Sequence, residues 1–294
     1  MKYRLLHRTK YSYDGAVTVS HHLARLAPRT LPGQRCPWHE LEIYPAPVGR
    51  GVHVDSFGNI TAYFEIEGKH ETLEVTANSL VEVFSTRHPE PSSTQPWELV
   101  RDACQLEKLT SGSEAGAFRF SSPMIPLGKE FTDFAIPEFP PGRPILEAVL
   151  GLTGRIFREF KFDPRATDVS TPVSDVLKKR AGVCQDFAHL MLACLRSLGL
   201  PCRYVSGYLE TAPPPGMRRL TGADASHAWV SVFCGEGAGW IDTDPTNNLL
   251  PGERHITVAW GRDFSDVSPL RGVTLGAGGQ RLSVAVDVIP VDEL

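Results

Sequence analysis

The hydrophobic repeat of this chain changes period after residue 86, and that change narrows the folds open to it. Up to residue 86 the apolar side chains recur at every second position. In KYRLLHRTKYSY, Tyr3, Leu5, His7, Thr9, Tyr11 and Tyr13 share one face, while Lys2, Arg4, Arg8 and Lys10 lie on the other. This is the repeat of a half-buried strand, and an Asp14-Gly15 turn signal follows it. Ile60, Ala62, Phe64 and Ile66 likewise alternate with Thr61, Tyr63, Glu65 and Glu67, and Gly68-Lys69 separates them from LEVTANSLVEVF. Several short strands joined by turns predict a β-sandwich-like N-terminal domain over residues 1–86. In TRHPEPSSTQP, proline and serine suppress both helix and strand, so a linker is expected at 87–98.

Beyond the linker the period becomes helical. Ile145, Leu146, Val149, Leu152, Ile156, Phe157 and Phe160 fall at helical spacing, and Thr171-Pro172 has the form of a helix start. Strand-like CRYVSGYL (202–209) follows, then a proline-rich loop (211–219), AWVSVF (228–233), GWIDTD (239–244) and LSVAVDV (282–288). Helices followed by mostly antiparallel strands read as α+β, with residues 99–294 forming one core that carries the C-terminal strands.

Composition excludes several classes. A chain of 294 residues that is 41 % hydrophobic and 22 % charged is not a disordered one. The net charge of −4 offers no basic footprint for nucleic acid. No run of about 18 apolar residues suggests a membrane span, and the start lacks the apolar stretch of a secretory signal. Six cysteines (36, 104, 184, 194, 202 and 234) are too sparse for a disulfide scaffold. With no CxxC pair and no HxxxH, structural zinc is not expected. GAGG (276–279) precedes no helical pattern, so it is not read as a phosphate loop. A cytoplasmic protein with reduced thiols is the expectation.

The chemistry concentrates in AGVCQDFAHLMLACLRSLGLP, residues 181–201. Phe187, Leu190, Met191, Cys194, Leu195 and Leu198 form one apolar helical face, bounded by Gly182 and by Gly199-Leu200-Pro201. Cys184 therefore sits in the first turn. A sulfur there meets unpaired backbone N–H groups and the positive helix end, both of which stabilise negative charge. The bland alternative is a half-buried structural cysteine.

A nucleophilic cysteine needs a base. His189 is near in sequence, but five residues of helix turn it about 140° from Cys184 with a rise of ~7.5 Å. It is read as a packing histidine, paired with Asp186 three residues earlier. His227, entering a strand in DASHAWVSVF, is the better base. A carboxylate on the adjacent strand of GWIDTDPTNN could fix its tautomer. Asp242 and Asp244 share one strand parity, so the pattern leaves both open.

GVCQDFAHL (182–190), RYVSGYL (203–209), SHAWV (226–230) and GWIDTDPTNN (239–248) resemble the transglutaminase-like cysteine hydrolase superfamily. HRTKYSYDGAV, DSFGNI and VAWGRDFSDVSPLRGV (258–273) are similar to its bacterial branch with a transglutaminase-type N-terminal β-domain. The resemblance implies a papain-like core, a helix bearing the thiol packed on an antiparallel sheet. By residue it implies Cys184 as nucleophile, His227 as base and Asp244 as acid, with spacings of 43 and 17. Cys202 stands where the family pattern suggests alanine, a small apolar exchange. No metal or organic cofactor is implied. The expected substrate is a peptide-like or protein amide, with no nucleic acid and no membrane as partner. Branch members often accompany ATP-grasp-type partners, which agrees with a peptide-like substrate.

The expected activity is hydrolysis of amide, peptide or isopeptide bonds through a thioester. Transfer of the acyl group to an amine is the enzymatic alternative, and a non-catalytic binding module is the alternative of another class. The Cys184 amide is a natural oxyanion donor. Gln185 is weighed as a second donor against a structural role. Trp229, Trp240, Tyr204 and Tyr208 are read first as packing residues. His21, His22 and His255 are read as surface or satisfied histidines, and Arg262-Asp263 as a loop-ordering pair.

Overall fold

A computed structural model describes residues 1–105, 113–211, 226–276 and 278–291. Most of the proline-rich stretch and part of GAGG lie outside them. In chain order the strands are β1 (Lys2–Ala24), β2 (Gln34–Tyr44), β3 (Gly49–Val54) and β4 (Ile60–Val83). The helices α1 (Trp97–Gln105), α2 (Ser113–Gly116), α3 (Lys129–Ala135) and α4 (Ile145–Glu159) follow. Next come β5 (Lys161–Phe162), α5 (Val173–Lys179), β6 (Ala181–Gly182), α6 (Cys184–Ser197), β7 (Cys202–Leu209) and β8 (Ser226–Phe233). The chain ends with β9 (Trp240–Thr243), β10 (His255–Gly261), α7 (Phe264–Val267), β11 (Leu270–Leu275) and β12 (Gln280–Pro290). The α+β class holds.

The turns expected at Asp14-Gly15 and Gly68-Lys69 are not turns. The chain runs through both as two long strands, β1 and β4, paired antiparallel from Lys2 opposite Glu82 to Ala24 opposite Ala62. Their register slips between Ser12 and Val19, and Gly68 adopts a φ of +97°. Extra residues in a ladder bend it, and glycine tolerates the left-handed backbone that a bulge demands. One six-stranded sheet thus has two halves. β12 and β2 flank one half, and β11 and β3 flank the other. Phe64 and Ile66 from one half share a small core with Leu73, Val75 and Ala77 from the other. The sandwich-like unit is a single bent sheet.

Two boundaries differ from expectation. β11 and β12, grouped above with residues 99–294, return to the N-terminal sheet and pair with β1. Their period-two pattern announces strands without naming a partner, and Val286 and Val288 are buried opposite His7 and Leu5. Helix α1 also begins at Trp97, inside the expected linker.

The second sheet has the order β10-β7-β8-β9, antiparallel throughout. Helix α6 lies against it and is buried nearly all round, from Phe187 to Arg196. Only one apolar stripe was expected. The remaining faces are covered because α3, α4 and α5 also pack on α6. Buried Arg196 is satisfied by the carbonyls of Cys202 (2.8 Å) and Arg262 (2.6 Å). The N-terminal unit grips β10: Gln34 exchanges hydrogen bonds with the backbone N–H and C=O of Thr257, both at 2.8 Å. Asn59 does the same for Trp260, at 2.8 and 2.9 Å.

In β8, Ala228, Val230 and Val232 enter the main core, so alternation sends His227 and Trp229 to the opposite face. On that face Gly207 of β7 lies opposite His227. A Cβ at Gly207 would sit 2.1 Å from the Ile256 carbonyl oxygen and 2.5 Å from the Trp229 ring. Gly207→Ala should therefore lower stability by about 1–3 kcal/mol or more, the cost of overpacking. Scanning calorimetry checks this through a fall in the thermal midpoint.

Candidate active site

Cys184 is the first residue of α6, and its half-buried sulfur lies at the positive end of a 14-residue helix. Several local bonds put it there. β5 and β6 pair in parallel, and the Asp163 N–H donates to the Gly182 carbonyl at 2.9 Å. The Val183 N–H donates to the Asp186 carboxylate at 2.8 Å, closing the helix N-terminus from its third residue. Thr167 donates to the same carboxylate oxygen at 2.6 Å. Gly182 makes room for that carboxylate, since a Cβ there would lie 2.5 Å from Asp186 Oδ2.

The expected pairing of His189 with Asp186 is absent, because Asp186 serves the helix end. His189 Nε2 accepts the Phe264 N–H at 3.2 Å, and its ring lies against Tyr204. Burial pushes this imidazole down to about 4. It fastens α6 to the segment after β10, as a packing histidine does.

His227 is the histidine brought to the sulfur. Its Nε2 donates to Asp244 Oδ2 at 2.7 Å, and the Cys184 side chain lies close enough to help raise its pKa. With Nε2 given to the carboxylate, Nδ1 is left for the sulfur. The two aspartates are separated by register. Val230 lies opposite Thr243 across β8 and β9, which sets His227 diagonally beside Asp244 and Trp229 beside Asp242. Asp242 accepts the Trp229 indole N–H at 2.8 Å. Asp244, fully buried, accepts from His227, from the backbone N–H groups of Thr246 (2.8 Å) and Asn247 (3.2 Å), and from Asn247 Nδ2 (2.7 Å).

Electrostatics follows from these contacts. Burial opposes a charge on His227, but its hydrogen bond to Asp244, the nearby Cys184 side chain and their negative charge push it up to about 9. Burial also opposes a charge on Asp244. The hydrogen bonds from His227, His255 and Asn247 and the His227 charge outweigh it, holding the carboxyl well below the usual range. The arrangement can hold an imidazolium beside a sulfur, with a carboxylate fixing the ring.

The other singled-out residues lie as follows. Gln185 donates to the Val169 carbonyl at 3.3 Å, a structural use. Trp229 is buried, and Trp240 packs on Phe118, Phe233 and Arg203. Buried Tyr208 bonds His7 at 2.8 Å. Burial first, then the negative charges of Cys184, Asp186 and Asp263, push the Tyr204 phenol well above its usual value. His21 meets Tyr63 and Glu65, and His22 stacks on Phe64. Arg262 pairs with Asp266, while Asp263 caps α7 and accepts the Met124 N–H. Cys202 is fully buried, and the six cysteines are free thiols.

Two residues of the site were not anticipated. Asn247 holds Asp244 from within its own turn. His255, read above as a surface or satisfied histidine, is buried and places Nε2 at 3.2 Å from Asp244 Oδ2. Histidine 11 positions beyond the aspartate, on a non-adjacent strand, carries no spacing signal. Among the described residues His227, Asp244 and His255 bring ligand-type atoms within 4.8 Å of one another. The hydrogen bonds among those atoms account for their closeness.

This chain belongs to the transglutaminase-like superfamily, whose members are cysteine-based enzymes. The superfamily's description matches residues 140–245, and that of the bacterial transglutaminase-like N-terminal region matches residues 3–82. An uncharacterized protein of Mycobacterium tuberculosis is 41 % identical over 99 % of this chain and 93 % of its own length. A protein-glutamine gamma-glutamyltransferase of Pseudomonas aeruginosa is 32 % identical over 34 % of this chain and 16 % of its own length. The crystal structure of a candidate cysteine protease from Cytophaga hutchinsonii shares the fold. Its TM-score is 0.74 at 21 % identity, covering all of this chain and 92 % of that one. Among the described residues no helix is long and apolar enough to cross a membrane.

Two outcomes follow from the histidines. His189→Ala should cost roughly 1–3 kcal/mol of stability by leaving the partly buried Phe264 N–H unpaired, read as a fall in the urea midpoint. The His227–Asp244 pair should show a distinct pH window. Because His227 is raised from 6.5 to about 9, its contribution is full below pH 6.5 and is lost as pH rises through about 9. Asp244 is depressed, so its contribution is present above about pH 3.8 and is lost as pH falls further. The thermal-midpoint gap between wild type and Asp244→Asn should be widest between about pH 3.8 and 6.5 and should narrow, without closing, as pH rises through about 9.

Proposed function

We propose that this chain is a cysteine-dependent hydrolase of amide bonds, peptide or isopeptide, acting through a thioester. One observation carries the reading: a cysteine at a helix N-terminus lies beside an imidazole whose Nε2 is held by a fully buried carboxylate. In this reading Cys184 is the nucleophile, His227 the acid and base, and Asp244 the residue that fixes the ring.

The sulfur attacks the amide carbonyl and forms the C–S bond, and the carbonyl electrons move onto oxygen. The Cys184 N–H, in the first helical turn, has no carbonyl partner within the helix and is placed to donate to that oxygen. As the tetrahedral adduct collapses, the C–N bond breaks and imidazolium His227 gives its proton to the departing amine. Neutral His227 then takes a proton from water as the water attacks the thioester. The acid is released, the thiol is restored, and no cofactor enters these steps. Hydrolysis is preferred to amine transfer on the reading that the chain works in the cytoplasm, where indiscriminate crosslinking of proteins would be harmful. The local likeness to a protein-glutamine gamma-glutamyltransferase keeps transfer to a primary amine as the second reading.

The test is turnover of amide and isopeptide libraries by the purified protein, with Cys184→Ala as control. Free acid should appear, and an acyl group should be found on Cys184 by mass spectrometry after rapid quenching. A product that appears only with added primary amine would replace hydrolysis by transfer. No acylation of any kind would leave a binding module. Asp244→Asn should fold yet lose up to about 10⁴-fold in turnover, as the same change does in a serine triad. Asp242→Asn should lose little, because that carboxylate serves the Trp229 indole; the reverse pattern would move the acid to Asp242. Iodoacetamide should label Cys184 faster than Cys36 or Cys202, and His227→Ala should slow that labelling.

A further inference from the structure

Asp244 Oδ2 has a second histidine. Across the sheet His227 belongs to β8 and His255 to β10, with β7 between them. They meet because Gly207, opposite both His227 and Thr257, presents no side chain in between. The two imidazole centroids are 5.9 Å apart, and Trp229 stands edge-on to His255 at 5.3 Å. His255 Nε2 lies 3.2 Å from the Asp244 oxygen that His227 also uses. A carboxylate can only accept, so the His255 proton sits on Nε2. His255 Nδ1 is buried with no hydrogen-bond partner among the described residues. The polar tie of this buried ring is therefore to Asp244.

Holding the carboxylate in place does not require that tie. The N–H groups of Thr246 and Asn247 fix Oδ1, and Asn247 Nδ2 already fixes Oδ2. What His255 adds is competition for the oxygen that His227 uses. We infer that His255 is a positioning residue that acts through Asp244, its Nε2–H drawing part of the carboxylate charge away from His227. A tighter His227–Asp244 ion pair would hold the imidazolium proton more firmly and release it to a leaving amine more slowly. The shared oxygen keeps that proton transferable. The groups facing His227 are Cys184 from α6, Asp244 and Asn247 from the turn after β9, and His255 from β10. Those around His255 are Asp244, His227 and Trp229, the last holding Asp242. The catalytic meaning rests on the role proposed for His227, whereas the shared hydrogen bond can be read without turnover.

The experiment is a pH titration of ¹⁵N-histidine-labelled full-length protein, following the His227 ring by NMR in wild type, His255→Phe and His255→Gln. Phenylalanine keeps the ring shape and removes the donor, and the glutamine amide restores a donor at a similar reach. The His227 midpoint should move up by roughly half to one pH unit in His255→Phe and stay near wild type in His255→Gln. The alkylation profile of Cys184 against pH should move in the same direction. An unchanged or lowered midpoint in His255→Phe overturns the inference, as does a Gln variant that shifts as far as Phe. Should His255→Phe fail to fold, His255→Met, equally without a donor, is read by the same criteria. An upward shift in a protein that hydrolyses nothing would remove the proposed activity and leave the shared hydrogen bond standing.

Discussion

A carboxylate without solvent exposure must recover from protein donors what it loses from water. Asp244 draws them from three parts of the chain: its own turn at Thr246 and Asn247, β8 through His227, and β10 through His255. Each source has to be delivered by its own element. The sequence DPTNN makes the turn, the β8–β9 register delivers His227, and the bonds of Gln34 and Asn59 to β10 hold the strand that carries His255. The N-terminal sheet thus supports the strand behind the candidate acid.

The thiol side of the site is built differently. Cys184 owes its place to a helix start, and the start depends on Asp186 closing the N-terminus and on Gly182 leaving room for that carboxylate. The helix behind it is enclosed by sheet and helices, so the sulfur is borne on a rigid element. The sheet side is packed just as closely. Gly207 lets the Trp229 ring lie on β7, and that ring meets both histidines. Small residues at 182 and 207 allow polar groups to approach where any side chain would intervene.

Much of the local structure was legible. Period-two runs became strands, and the apolar stripe of residues 187–198 became a helix with Cys184 in its first turn. Geometry along that helix excluded His189 from the sulfur, and the structure ties His189 to Phe264 instead. The two expected turns failed for one reason. Asp14-Gly15 and Gly68-Lys69 have turn chemistry, but an irregularity in a long strand draws on the same residue types, and Gly68 spends its positive φ there. Only the pairing partner distinguishes the two.

By itself the sequence determined what is encoded by neighbours in the chain: strand and helix periods, the helix start at Cys184, and a carboxylate at the end of the strand before Pro245. The ordered motif blocks also carried the family and, through resemblance, the choice of Asp244. Tertiary structure alone decided what depends on strands meeting. It returned β11 and β12 to β1, gave Asp242 to Trp229, and brought His255 to Asp244 across a glycine on the strand between. Periodicity tells which face a side chain takes, whereas register and strand order, set by the whole sheet, decide what it meets there.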